Sequence, residues 1–180
     1  MVASTERFEW IADLMSVRPN DLILEIGAGS SPSVAHLAAR LTTGRIVAAD
    51  RSETAVRRSA ERHAALIDSG RLRLLHAALE QLPTAPDLEG LAFDKVLAMN
   101  VNLFWTRPCA RELTFIHNVL TPDGALYLCY GYGTPTTTRP ESPKPPPAQL
   151  THNLTTSGFT TELHPSGDLL TLIARKHPRP

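Results

Sequence analysis

Leu22-Ile23-Leu24-Glu25-Ile26-Gly27-Ala28-Gly29-Ser30-Ser31-Pro32 joins a short apolar run to two glycines and then to a helix start. The run reads as a strand buried in a parallel sheet, where both faces are covered and alternation is lost. Gly27 and Gly29 allow a sharp turn and leave room for the backbone to approach a ligand. Ser31 as N-cap with Pro32 at the first helical position would aim free N–H groups at that ligand, which suits a carboxylate or phosphate. Taken alone, the glycines are also readable as a tight structural turn.

Asp50 narrows the choice. It closes the next apolar run, Arg45-Ile46-Val47-Ala48-Ala49-Asp50, and stands 23 positions beyond Gly27 (50 − 27). Nucleoside-binding folds of this kind place an acid there against a ribose diol. An ionised carboxylate offers only acceptors and can take both hydroxyl protons. The competing reading makes Asp50 a cap for the helix that follows at Glu53.

Apolar runs and helix-periodic segments alternate along most of the chain, the mark of strand–helix–strand units. A leading amphipathic helix is expected over residues 1–17, its periodic part from 5 to 17, ended by Pro19. Further helices are expected over 32–41, 53–67, 110–120 and 148–157. Strands are expected over 72–75, 93–99, 126–130, 160–163 and 169–174, the last two paired antiparallel around Pro165-Ser166-Gly167-Asp168. Residues 134–147 hold six of the 15 prolines and cannot form regular helix or central strand, so they are a long loop. All 180 residues are expected to form one α/β domain, a Rossmann-like sandwich with helices on both faces of a mainly parallel seven-stranded sheet and an antiparallel last strand.

Composition limits the partners. The 18 Lys and Arg balance 18 Asp and Glu, so no global field favours nucleic acid or an anionic membrane. Cys109 and Cys129 make no disulfide framework, and no Cys or His spacing suggests a metal site. Glu6, Glu9 and Asp13 stand where a signal peptide would be basic then apolar, and no run approaches the roughly 18 apolar residues of a membrane span. The expected location is cytoplasmic.

On these residues the sequence resembles the class I S-adenosylmethionine-dependent methyltransferases. Glu25-Ile26-Gly27-Ala28-Gly29 is similar to the family's first motif and Ala49-Asp50-Arg51-Ser52 to its second. His76-Ala77-Ala78-Leu79-Glu80-Gln81-Leu82-Pro83 is similar to the adenine-lining stretch, and residues 93–102 to the fourth motif. The resemblance implies S-adenosyl-L-methionine as cofactor, held by Glu25, Gly27, Ala28, Gly29, Asp50, Arg51, Ala78, Leu79 and Asn100. It also implies in-line displacement at the methyl carbon, which alignment and a dry pocket can drive without a dedicated acid or base. Two departures stand out. Ser31 replaces the third glycine, and Ala78 replaces a frequent acid, leaving the adenine amino group to Leu79, backbone or water. Glu25 would favour the methionine ammonium; alternatively it is a buried strand-end carboxylate satisfied by backbone N–H groups.

A nicotinamide-dependent oxidoreductase shares much of this pattern, but its third glycine would fall at Pro32. A non-catalytic nucleoside-binding protein is the other alternative. For the acceptor, Asn102, Trp105, Tyr130 and Tyr132 are the candidates, because amides beside aromatic rings suit a small organic molecule. Phe104 and Trp105 read equally well as core or dimer contacts. The proline-rich loop is either a lid or a plain connection, and a second copy of the chain could complete the acceptor side. His36 could face the pocket, although a solvent-exposed or packed ring is the better reading.

Overall fold

A computed structural model describes residues 5–137 and 142–177. Its centre is a seven-stranded sheet of β1 (Leu22–Ile26), β2 (Arg45–Asp50), β3 (Leu72–His76), β4 (Phe93–Met99), β5 (Leu120–Tyr130), β6 (Phe159–Ser166) and β7 (Leu169–Lys176). The order is β3-β2-β1-β4-β5-β7-β6. The first five strands are parallel, and β7 runs antiparallel to both β5 and β6. The expected architecture, with its antiparallel last strand inserted inside the edge, is the one observed.

Both faces of the sheet are covered. On one, α1 (Glu6–Leu14) and α2 (Ser33–Ala38) pack Ile11, Ala12, Val34 and Leu37 against Ile23, Ile46, Leu97 and Tyr127. α3 (Glu53–Arg62) and α4 (Ala64–Asp68) connect β2 to β3. After β4 come α5 (Leu103–Thr106) and α6 (Ala110–Val119), and α7 (Pro147–Thr156) precedes β6. On the second face, Leu113, Ile116, Leu150 and Leu154 from α6 and α7 meet Leu24, Val96, Leu126 and Leu172. Glu25 is enclosed within the first of these layers although it carries a carboxyl group.

Several boundaries differ from expectation. The leading helix ends at Leu14, before Pro19: Ser16 takes φ +48°, its N–H bonds Asp13 O at 2.8 Å and Val17 N–H reaches Ala12 O at 3.5 Å. That is a Schellman closure with serine at the left-handed position. The helix expected over 53–67 breaks at His63, whose buried ring bonds the Ser31 backbone. β5 begins at Leu120, because the Pro122-Asp123-Gly124 stretch forms an irregularity inside the strand opposite Phe93 and Lys95. The β6–β7 turn is only Gly167-Asp168, since Pro165 and Ser166 are paired with Leu170 and Leu169. In the 134–147 loop, Pro147 already opens α7, and residues 138–141 lie outside the described residues.

Candidate active site

The sheet reverses its winding direction between β1 and β4, and open α/β sheets bind ligands at that crevice, beyond the carboxyl ends of the strands. A cavity of about 590 Å³ lies there. Its wall is built from the ends of β1, β2, β3 and β4, the start of the 3₁₀ segment Leu79–Thr84, and α5.

The glycine turn is folded back onto β2. Gly27 and Ala28 donate N–H bonds to Ala49 O at 2.8 and 3.2 Å, with Gly27 at φ +69° and Gly29 at +57°. A Cβ on Gly27 would stand 2.8 Å from Val101 Cγ2, so the first glycine is required by close approach as well as by conformation. Asp50 ties the turn to the next helix. Its Oδ2 accepts from Gly29 N–H at 2.7 Å and its Oδ1 from Ser52 N–H at 2.8 Å. Each oxygen retains a second lone pair, and the residue lines the cavity. Ser52, rather than Asp50, caps α3, accepting from Ala55 N–H at 3.3 Å.

Glu25 lies beside this turn without lining the cavity. Its Oε1 accepts the Ser33 hydroxyl at 2.5 Å, a bond that spans the glycine turn, and its Oε2 has no partner. The backbone N–H groups expected to satisfy it do not do so. Burial pushes its pKa up to about 7, against which the Ser33 hydrogen bond acts in the opposite direction.

Of the residues singled out in the sequence, Gly27, Asp50, Arg51, Ala78, Leu79, Asn100 and Asn102 share the cavity wall. Ala28 is turned into the core, and Gly29 contributes its N–H to Asp50. The two amides are already engaged with the protein. Asn100 bonds the backbone of Gly131, and Asn102 Oδ1 accepts Trp105 Nε1–H at 3.3 Å.

Three acceptor-side candidates are not on this cavity wall. Tyr130 is a core residue, 2% exposed, because its strand position faces α6 and α7; its hydroxyl donates to Val101 O at 3.0 Å, and burial raises its pKa. Trp105 stands outside the wall, held by Asn102 and by Gln149 Nε2, which donates to its carbonyl at 2.8 Å. Tyr132 is exposed away from the cavity, with its carbonyl accepting from Arg7 Nη1 at 2.6 Å. Phe104 is core, and His36 stacks on Phe8 at 5.6 Å between ring centroids.

Sequence reading missed Thr106 and Arg107 and quoted Glu80 only within the adenine-lining stretch; all three line the wall. Arg107 pairs with Glu80 across the cavity edge and reaches Glu112 at 3.5 Å. Their positions just beyond β3 and β4 were the available signal. Asp168 was also missed as anything but a turn residue. It is fully buried, and its carboxylate accepts from Tyr132 N–H, Gly133 N–H, Ser142 Oγ and Lys144 Nζ at 2.6–3.0 Å. Among the described residues no cluster of three potential metal ligands occurs, and no helix is long and apolar enough to cross a membrane.

No curated protein matches the sequence. Solved structures do. The pyocyanin biosynthetic protein PhzM superimposes with TM-score 0.75 at 16% identity, over 97% of this chain but only 55% of its own length. A SAM-dependent methyltransferase from Aquifex aeolicus matches with TM-score 0.73 at 15% identity, over 97% of this chain and 93% of the other. Magnesium protoporphyrin IX methyltransferase (ChlM) from Synechocystis PCC 6803, solved with bound SAM, matches with TM-score 0.66 at 16% identity, over 94% and 78%. These likenesses concern the fold. A sequence-family model described as a methyltransferase domain matches residues 23–124, more than half of the chain, which therefore belongs to the methyltransferase domain family.

Proposed function

We propose that the chain binds S-adenosylmethionine in the cavity at the β1–β4 crevice and transfers its methyl group to a small organic acceptor. The observation that carries this reading is Asp50: a carboxylate at the end of β2, fixed by two backbone N–H groups, on the wall of a cavity that also includes Gly27.

The residues present fit such a group. The volume lies within the roughly 300–1,000 Å³ of small-molecule sites. Asp50 retains lone pairs for a ribose diol, and the bare Cα of Gly27 keeps the wall open at the turn. Ile26, Met99, Val101 and Leu103 give part of the wall an apolar lining, while Ala78 and Leu79 present backbone and apolar surface at the end of β3. Buried Glu25 has one unpartnered oxygen beside the turn, which suits an ammonium group. S-adenosylmethionine would supply an activated methyl on a positively charged sulfur. The chain's own contribution is to bind, align and dehydrate, which is enough to accelerate a displacement by several kcal/mol.

A small acceptor is favoured by the balanced charge of the chain and by a wall that mixes apolar side chains with Asn102, Thr106 and Arg107. Cytoplasmic action is consistent with two free, buried thiols, Cys109 and Cys129. The dimer contact expected from the sequence remains part of the same proposal.

Calorimetric titration with S-adenosylhomocysteine and with NAD tests the cofactor. Saturable binding of the first, weakened at least tenfold in Asp50→Ala, is expected, since charge-assisted bonds contribute about 1.5–3 kcal/mol each. Tighter binding of NAD would overturn it. Methyl release from labelled S-adenosylmethionine with a panel of phenols, amines and thiols then identifies the acceptor. Transfer to nucleic acid or protein in preference to the whole panel would refute the small-molecule reading.

A further inference from the structure

Of the four charged residues on the cavity wall, Asp50 ends β2 and Arg51 follows it, whereas Glu80 and Arg107 pair from two different loops. Both side chains of that pair are 45% exposed, so the bond lies where the cavity meets solvent. The backbone on either side is fixed. Gln81 Oε1 accepts Ala78 N–H at 2.8 Å at the start of the 3₁₀ segment, and Leu79 and Leu82 around Glu80 are buried. Arg107 leaves α5 in extended backbone, and α5 is held by buried Phe104 and by Asn153 and Gln149, which donate to the carbonyls of Phe104 and Trp105 at 3.0 and 2.8 Å. Arg107 has a second carboxylate. Glu112, buried in the first turn of α6 where the helix dipole favours an acid, stands 3.5 Å from the same Nη2. When the Glu80 side chain swings into water, the guanidinium keeps a counter-charge and Glu112 is not stranded, so parting the Arg107–Glu80 bond costs only what an exposed ion pair is worth. A cation already shared by two carboxylates is a poor receptor for an anionic ligand group, which leaves the pair a mechanical role.

We infer that Glu80 and Arg107 form a side-chain gate at the mouth of the cavity, shut by their ion pair whether the cavity is empty or filled, through which the ligand enters and leaves. The inference rests on the S-adenosylmethionine reading above and adds the route by which that ligand exchanges. Glu80 is the moving part, and Arg107, anchored on Glu112, is the positioning residue that holds it in the mouth. A gate of this kind touches no ligand atom. It therefore slows entry and exit by the same factor and leaves the equilibrium affinity where it was, which neither a ligand contact nor a structural prop does.

Surface plasmon resonance on the immobilised full chain reads both rates, with S-adenosylhomocysteine as probe because its ammonium and carboxylate cancel and long-range steering is small. Glu80→Gln should raise the association and dissociation rates together by about two- to fivefold, the range an exposed ion pair sets, while Kd shifts by less than about twofold. Raising sodium chloride from about 0.05 to about 0.5 M should do the same to the unaltered protein and nothing further to Glu80→Gln, because salt screens an exposed pair. Glu112→Gln, which leaves the cation to Glu80, should raise neither rate. A change in one rate alone, with Kd moving to match, overturns the inference, because Glu80 then contacts the ligand or props its site. Rates that do not move in Glu80→Gln overturn it and leave the cofactor assignment standing, as does a rise of both rates in Glu112→Gln. Failure of S-adenosylhomocysteine to bind at all removes both.

Discussion

The side-chain amide of Asn100 holds both backbone groups of Gly131: Oδ1 accepts its N–H at 2.9 Å and Nδ2 donates to its carbonyl at 3.2 Å. Asn100 does this from φ +54°, a left-handed conformation in which asparagine is among the few tolerated side chains. The pair couples the end of β4, on the cavity wall, to the chain leaving β5.

Two variants separate the terms. Asn100→Gly removes the bonds but relieves the backbone, whereas Asn100→Ala removes the bonds and keeps the strain. We expect a loss of about 1–2 kcal/mol for glycine and about 2–3 kcal/mol for alanine, by urea denaturation. An alanine variant as stable as the glycine variant would show that the left-handed backbone carries no cost here.

Gly27→Ala should damage both folding and binding. The added methyl would meet Val101 Cγ2 at 2.8 Å, and φ +69° disfavours any side chain. A stability loss of about 1–3 kcal/mol is expected. Adding Val101→Ala should recover the steric part and leave the conformational part, of about 1 kcal/mol. Full recovery would mean that the backbone conformation adapts freely.

The strand–glycine–helix signal and Asp50 were legible because they depend on local sequence: an apolar run sets a buried strand, and only glycine accepts the turn. The strand ends placed Asp50, Ala78 and Asn100 around one crevice for the same reason. What sequence could not show was which way a side chain points once tertiary neighbours compete. Tyr130 follows the sheet's alternation into the α6–α7 layer, and Asn102 spends its oxygen on Trp105. Asp168 looks like any turn residue in sequence, yet its environment is assembled from segments 24 to 36 positions away. Glu25 was legible as a strand-end carboxylate, but its partner is a hydroxyl eight residues on, not the turn's N–H groups.

Glu25 should also mark the free protein's stability. Its folded pKa, about 7, lies above the ordinary 4.5, so between those values the folded state keeps a proton that the unfolded chain releases. Stability contributed by this group is therefore present below about pH 4.5 and lost as pH rises toward about 7, by an amount on the order of 3 kcal/mol. His63 acts with the opposite sign, since burial and then Arg62 lower its pKa, so the diagnostic is the difference between wild type and Glu25→Gln. Urea melts from pH 4.5 to 8 should show that difference moving in favour of the variant as pH rises. A pH-independent difference would refute the buried neutral acid.

Asp168 should behave in the reverse sense. Burial alone would raise its pKa, but the bonds from Lys144, Ser142, Gly133 and Tyr132 together outweigh that penalty and hold the carboxyl well below the usual carboxylate range. Its stabilisation is thus complete above the unfolded value of about 3.9 and disappears as pH falls toward the folded one. Asp168→Asn keeps the shape but cannot offer four acceptor positions or a charge to Lys144. A loss of about 2–3 kcal/mol at neutral pH is expected, less than the roughly 3–5 kcal/mol of a fully buried pair because Lys144 is one-third exposed. Lys144→Met should cost less than Asp168→Asn, because the two backbone N–H bonds and the Ser142 bond survive it, and the double variant should lose less than the sum of the singles. Since Ser142 and Lys144 reach Asp168 from beyond the proline-rich stretch while Tyr132 and Gly133 reach it from before, the same variant should free both ends of the segment together. Limited proteolysis should then cut between residues 134 and 146 faster in Asp168→Asn than in wild type. Unchanged cleavage with lowered stability would show that the segment is fixed by its prolines rather than by this carboxylate.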